Sequence, residues 1–320
     1  MRHRLLFYGL LLLAPASLAA ALLSGSADLS LTQLFDGNGT SREILWQLRA
    51  PRAASAFACG ALLALSGVLL QVLLRNPLAD PYLLGISGGA AVGALGAMLL
   101  GLAAAVQFAA LGGALGAMLL VLALSFNRHA WSMHHLLLTG VALSAGFGAL
   151  ISLMLSLAPG SGLHGMLYWL MGDLSYARQP ALAWTALLAT GSAGWMLARH
   201  LDVLAIGELK AKSLGVAVLP LQGGIYLAAA VATTAAVLEG GSIGFVGLIV
   251  PHLLRLLGVH SHRWLVPCAI LLGGSFLTLA DTLARSVIAP QQLPAGVLTA
   301  LLGVPLLLFL LSRQDARQNC

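Results

Sequence analysis

Apolar stretches of membrane-spanning length recur along the chain and are separated by short polar segments. A transmembrane helix needs about 20 mainly apolar residues, and ten stretches approach this requirement: 5–23, 53–73, 82–102, 104–124, 136–157, 181–197, 219–238, 243–257, 264–288 and 296–311. The stretch 243–257 is short for a full crossing. The pattern predicts an all-α polytopic membrane protein with about ten transmembrane helices in a single domain over residues 1–320.

The first apolar stretch allows two interpretations. Two arginines precede it and small residues follow it, which is the arrangement of a secretory signal peptide cleaved after about Ala20. However, the stretch 5–23 is long enough to span a bilayer, and the rest of the chain is equally apolar. We therefore predict a retained first helix.

Positive charges are distributed unevenly between the two sides of the predicted bundle. With the N-terminus in the cytoplasm, 11 of the 16 lysines and arginines lie in inside segments, namely Arg2, Arg4, Arg75, Arg128, Arg199, Lys210, Lys212, Arg255, Arg263, Arg313 and Arg317. The positive-inside rule therefore places both termini in the cytoplasm. The outer side keeps Arg42, Arg49, Arg52, Arg178 and Arg285.

Composition narrows the possible functions. Hydrophobic residues make up 59% of the 320 residues and charged residues only 8%, and the mean hydropathy is +0.95. Three scattered cysteines, Cys59, Cys268 and Cys320, indicate neither a disulfide framework nor a metal site. Neither the phosphate-binding pattern G-x-x-x-x-G-K-[ST] nor H-E-x-x-H occurs. Glycines at helical spacing, as at Gly85, Gly89 and Gly93, indicate close helix packing rather than a ligand cradle.

Segment 199–218 is the one long polar connection on the cytoplasmic side. It alternates leucines with charges and is punctuated by Gly207 and Gly215, which predicts two short helices joined at a glycine. Such a segment lies on lipid headgroups or docks a cytoplasmic partner. A second inner turn, 75–89, contains Pro77 and Pro81 with the capping residue Asp80, and we predict a rigid hairpin there.

Seven sequence segments, in order along the chain, resemble one known family. They are LRAPR (48–52), SGVLLQVLLRNPLADPYLLGISGGA (66–90), YWLMGDLS (168–175), AIGELKAKSLGV (205–216), GSIGFVGLIVPHLLRLL (241–257), LADTLAR (279–285) and LPAGVLTALLGVPLLLFLL (293–311). The chain resembles the FecCD-like permeases of type II ATP-binding cassette (ABC) importers for vitamin B12, ferric siderophores and haem. The resemblance covers essentially the whole chain.

The resemblance implies a permease fold of ten helices per subunit in a bacterial inner membrane. It implies a homodimer, two cytoplasmic P-loop ATPase subunits that bind ATP and Mg, and a periplasmic substrate-binding protein. The chain itself would be a transport subunit with no catalytic residue, metal or cofactor. We expect an iron chelate, a ferric siderophore or haem, as the substrate, with cobalamin as the alternative.

An ion-coupled secondary transporter is a further alternative. It requires ionisable groups deep in the bundle, and the predicted spans offer Asp281 with Arg285, spaced as an i, i+4 pair, and Glu239 near an outer end. This small inventory argues against ion coupling.

At the outer side, the family likeness implies that Arg49, Arg52 and Arg285 meet carboxylates of the binding protein. Ala50 stands where the family usually has leucine in Arg-Leu-Pro-Arg, and the arginine spacing is unchanged. Two alternatives remain open. Arginines beside a span commonly reach the headgroups, and Arg285 can pair with Asp281 four residues earlier.

At the inner side, the family's coupling segment corresponds to 205–216. The expected ATPase contacts are Gly207, Glu208, Lys210, Lys212 and Leu214.

The likeness also points to the turn before the fifth span for the gate, where Met133 and His134 stand. Vitamin B12 importers carry small hydroxyl residues there, so this bulk favours another substrate. His134 beside His135 suggests haem, although solvation at a membrane end also explains such histidines.

Overall fold

The computed structural model describes residues 2–25, 42–127, 130–131, 133–175, 177 and 180–318. Within them the fold is all-α. The thirteen α-helices are α1 (Arg2–Leu23), α2 (Ala50–Leu73), α3 (Ile86–Leu99), α4 (Val106–Ser125), α5 (Met133–Leu157), α6 (Gly160–Met171), α7 (Ala181–Met196), α8 (Ala198–Ile206), α9 (Glu208–Ser213), α10 (Val218–Gly240), α11 (Val246–Leu256), α12 (His262–Ser286) and α13 (Ala295–Gln318). A π-helical segment, Ile44–Arg49, leads into α2. Short 3-10 turns occur at Pro81–Leu84 and Ala103–Ala105, and a two-residue hairpin pairs Phe126–Asn127 with Ala130–Trp131.

All ten predicted apolar stretches are helical. In the described residues, six helices are long and apolar enough to cross a membrane: α1, α2 with its π-helical lead, α4, α5, α10 and α12. The number is seven if α7 and α8, which bend by 61° at a break between them, are counted as one span. The remaining three stretches correspond to the shorter apolar helices α3, α11 and α13. The polytopic all-α prediction is confirmed, with α11 short as expected.

Helix α2 forms the centre of the bundle. It is buried along its length and packs against α7, α10, α11 and α12. Its glycines make this possible: a Cβ on Gly60 would overlap the carbonyl of Gly273 in α12, and one on Gly67 would overlap that of Gly247 in α11. Small residues let helix backbones touch, which maximises dispersion contacts in a lipid environment. The neighbours of α2 are therefore fixed by its glycines.

A second group of helices packs beside this centre. Helix α3 lies against α4 and α5, and its residues Gly89 and Gly93 meet the backbone at Gly113 and Ala109 in α4. The sequence-based prediction of close packing at Gly89 and Gly93 is confirmed. Gly85 has a different role: it ends the 3-10 turn before α3 with a φ of +72°. This left-handed conformation favours glycine.

The inner turn between α2 and α3 is a capped hairpin, as predicted. The side chain of Asn76 accepts from the amide of Leu78 at 2.9 Å, and Asp80 caps the following turn by accepting from the amide of Tyr82 at 2.8 Å. Burial raises the pKa of the Asp80 carboxyl to about 6, and this amide hydrogen bond opposes the shift. Asp80 therefore stabilises the turn, although its charged carboxylate loses hydration by being buried.

Helix α6 was not predicted from the sequence. This helix of 12 residues lies between α5 and α7 on the outer side and packs against α3 and α13. It is too short to be found by a search for membrane-spanning stretches. It nevertheless lines the largest cavity described below.

Candidate functional site

The outer side carries a buried ionic cluster centred on Asp281. The guanidinium of Arg52 donates to the Asp281 carboxylate through Nη2 at 2.7 Å and through Nε at 3.0 and 3.1 Å. The Nε of Arg285 forms an ion pair with the same carboxylate at 3.2 Å. Arg52 also donates to Gln292 at 2.7 Å and Ser175 at 3.3 Å. One carboxylate thus holds two arginines.

The end of α1 is bound to the same cluster. Arg49 donates through Nη1 to the carbonyls of Leu22 at 2.9 Å and Leu23 at 3.1 Å, and Arg285 donates to the carbonyl of Ala21 at 3.1 Å. The last carbonyls of a helix lack partners within the helix and carry partial negative charge. The two arginines therefore cap α1 and fix its outer end.

The three predicted docking arginines lie together. Arg49, Arg52 and Arg285 all line one outer pocket of about 280 Å³. Their exposed fractions are 4, 8 and 4%, so they point into the protein rather than towards the lipid headgroups. The pair of Arg285 with Asp281, considered from the sequence, is present. The contact of Arg52 with Asp281 was not predicted, because 229 positions separate the two residues. Among the described residues, three arginines and the carboxylate of Asp281 come together here, and the role of the arginines in docking stays a prediction.

The inner segment has the predicted form of two short helices joined at a glycine. Gly207 separates α8 from α9 with φ of +132° and ψ of +149°, which is a backbone conformation essentially restricted to glycine. Gly215 ends the segment with φ of +80°. The two glycines thus set the shape of the segment.

Contacts divide the residues of this segment into two groups. Glu208 faces the bundle, where it pairs with Arg75 at 3.3 Å and accepts from Gln222 at 3.0 Å. The other group is exposed and consists of Ile206, Leu209, Lys210, Lys212 and Leu214. Leu209, with 85% of its surface exposed, was not among the predicted contacts. The result is an apolar surface flanked by lysines, which suits docking of a partner protein better than Glu208 does.

The predicted gate residues are described only in part. Met133 and His134 begin α5, and their side chains lie outside the described residues. Among the described residues, no group of three histidine, cysteine or acidic side chains is placed to hold a metal ion. The prediction for the gate therefore stays open.

A larger cavity of about 670 Å³ opens at the outer side. Helix α6 lines it with Tyr168 and Trp169, and the carboxylates of Asp173 and Glu239 face it together with Gln107. Ser55 in α2 donates to Glu239 at 2.5 Å. Aromatic faces and a few polar groups are the usual lining of a small-molecule site. The sequence could not reveal this cavity because α6 was not predicted.

This arrangement defines a class: a multi-pass membrane protein with an exposed apolar segment inside and an arginine-lined pocket outside. Comparison with known proteins gives the family. Residues 11–313 match the FecCD transport family, and the chain belongs to this family. It is therefore an ABC importer permease, a multi-pass protein of the inner membrane.

Three similar proteins illustrate the range of the family. The hemin transport system permease HmuU of Yersinia pestis is 38% identical over 97% of this chain and 96% of its own length. The vitamin B12 import permease BtuC of Klebsiella pneumoniae is 36% identical over 99% of this chain and 96% of its own. A solved inward-facing structure of a metal-chelate type ABC transporter matches with a TM-score of 0.87 and 33% identity, over 96% of this chain and 98% of that one.

Proposed function

We propose that this chain is the permease subunit of an ATP-driven importer that moves an iron chelate, a ferric siderophore or haem, from a periplasmic binding protein across the inner membrane. The observation that carries the proposal is the match to a metal-chelate type transporter, with a TM-score of 0.87 over 96% of the chain. The hemin permease, at 38% identity, supports the same substrate class.

The energy for transport comes from a separate ATPase in this proposal. ATP and Mg bind to two cytoplasmic P-loop subunits, whose closure moves the inner segment of each permease. The exposed surface of Ile206, Leu209 and Leu214, with Lys210 and Lys212, is the part of the chain suited to receive them. The bundle then alternates between outward and inward access.

A second copy of the chain completes the transport route. Helix α5 is apolar yet mostly exposed, with Leu138, Val141, Leu150 and Leu153 uncovered. Its glycines Gly146 and Gly148 have no neighbour within contact distance of an added Cβ. A bare helix with small residues is suited to pack on a symmetric partner. The route between the two copies lies next to α5, where the gate residues Met133 and His134 are predicted.

Cobalamin is the second candidate substrate. The observation that favours it is the identity of 36% to a vitamin B12 permease over nearly the whole of both chains. Cobalamin and the iron chelates are alternatives for the same route, so one assay can compare them.

The test begins with gentle solubilisation of the tagged chain and identification of proteins that co-purify with it. We expect a P-loop ATPase at stoichiometric yield. The complex is then reconstituted in liposomes with the binding protein from the same operon, and uptake of haem, ferric siderophores and cobalamin is measured with ATP inside.

The control is the same complex with an ATPase variant that cannot hydrolyse ATP. ATP-dependent uptake of an iron chelate supports the proposal, and uptake of cobalamin alone supports the second candidate. Uptake driven by a proton or sodium gradient without ATP would overturn both and favour a secondary transporter.

A further inference from the structure

The inner end of α12 is capped by a residue of another helix. Ser261 is the N-cap residue of α12, and its side chain makes no capping hydrogen bond to its own helix. Instead, the Asp202 carboxylate on α8 accepts from the His262 amide at 2.8 Å and from the Ser261 hydroxyl at 3.0 Å. The first amides of a helix need an acceptor and favour negative charge. Asp202 supplies the acceptor and the negative charge, although it belongs to α8 and not to α12.

A third contact strengthens this cap. The Nδ1 atom of His262 lies 2.6 Å from Oδ1 of Asp202. Because a carboxylate only accepts, Nδ1 carries the proton and donates it. His262 is 3% exposed, and Leu201 and Leu204, on either side of Asp202 in α8, are also buried. The imidazole is therefore held in place by packing, while the Asp202 side chain is 36% exposed.

Helix α12 connects this cap to the outer ionic cluster. It is continuous over 25 residues, from His262 to Ser286, so at 1.5 Å per residue its inner end lies about 28 Å from Asp281. Along the way its backbone touches that of α2 at Gly60 and Gly273. At its far end Asp281 holds Arg52, which belongs to α2. The inner end of α12 is thus connected to the cluster by one helix and by its close packing against α2.

The inner segment also makes an ionic contact with the bundle through α9. Glu208 on α9 pairs with Arg75, whose side chain is 46% exposed, and accepts from Gln222 on α10. Exposed ion pairs of this kind contribute little to a fixed geometry. The Asp202 carboxylate makes three hydrogen bonds to the start of α12, and of the two contacts it is the one that leads directly to that helix.

We propose that Asp202 is a positioning residue for transport: it transmits movement of the ATPase-facing segment to α12 and through it to the arginine cluster at the outer face. This inference rests on the proposed function, since it requires an ATPase below and a binding protein above. A helix cap ordinarily contributes only to local stability. Here the cap would also couple the two faces of the membrane.

The test uses the complete complex in liposomes and measures uptake and ATP hydrolysis together. For Asp202→Ala we expect the substrate moved per ATP hydrolysed to fall about fivefold, as for a typical coupling energy between distant sites. Stimulation of ATP hydrolysis by the binding protein is expected to fall similarly, while ATPase association is retained. Asp202→Asn, which keeps an oxygen for the His262 amide, is expected to restore most of the ratio.

The matched control is Arg199→Gln, which changes an exposed charge on the same helix and should leave the ratio unchanged. An unchanged ratio in Asp202→Ala would overturn the inference, as would parallel losses of uptake and hydrolysis that track a lowered melting temperature. If Asp202→Ala does not fold, Ser261→Ala decides, because it removes one of the three bonds; an unchanged ratio there also overturns the inference. Absence of ATP-dependent uptake by the unaltered complex would overturn the proposed function itself.

Discussion

Asp281 neutralises charge that no other described residue of the cluster can balance. Its carboxylate is 1% exposed and meets the guanidinium groups of Arg52 and Arg285. Both arginines are buried, so each depends on this carboxylate for its solvation. The two arginines therefore depend on one side chain for their counter-charge.

Replacing Asp281 with Asn should destabilise the protein strongly. Two buried arginines would lose their counter-charge, and breaking a buried ion pair by removing one partner costs about 3–5 kcal/mol. The measurement is thermal unfolding in detergent. The control is Glu43→Gln, an exposed carboxylate at the outer side, for which we expect almost no change. Similar melting temperatures for both variants would show that Asp281 does not hold the cluster.

Arg49 offers a separate test of docking, because its bonds described above go to backbone carbonyls and not to Asp281. We expect Arg49→Gln to weaken binding of the periplasmic protein about threefold to tenfold at low salt and less at high salt, since screening reduces the contribution of such charges. Surface plasmon resonance at two salt concentrations measures it. Arg42→Gln, outside the arginine pocket, is the comparison, and an equal effect of both would argue against a dedicated docking pocket.

Among the elements, α2 shows how small residues determine helix packing. An added Cβ at Gly67 would meet the backbone of Gly247, while one at Gly224 on α10 would meet nothing within 4 Å. The same chemical change therefore has opposite consequences at the two positions.

We expect Gly67→Ala to destabilise the bundle by about 1–3 kcal/mol, the usual cost of overpacking. Gly224→Ala should be neutral or stabilising, because alanine is the better helix former by about 1 kcal/mol. Thermal unfolding in one detergent compares the two variants. A larger loss for Gly224→Ala would contradict the packing described for α2.

The segment of α8 and α9 makes a further prediction. Leu209 is the most exposed residue of its apolar surface. Leu209→Glu would bury an unpaired charge in the interface, so it should reduce co-purification of the ATPase about tenfold. Ser213→Ala, exposed on the same helix, should leave it unchanged. Full retention of the ATPase by Leu209→Glu would exclude this surface as the docking site.

For the whole molecule, apolar length and charge placement were enough to predict the bundle. All ten stretches became helices because each must satisfy its backbone groups internally within lipid. The bend at Leu197 and the short helix α6 were not predictable from span length. Nor was the Arg52–Asp281 pair, since 229 residues separate its members and no local pattern links them. The outer cavity was missed for the same reason, because its lining comes together only in the folded chain.

The central position of α2 has a consequence for how the protein is made. The outer end of this helix carries Arg49 and Arg52, so two positive charges must cross the membrane early in synthesis, against the usual preference for cationic residues inside. The carboxylate partner of Arg52, on α12, is synthesised 229 residues later. The nascent chain must therefore keep α2 in its final orientation, with Arg52 unpaired by Asp281, until nearly all of the protein has been inserted. The outer ionic cluster is thus assembled late, although α2 itself is inserted early.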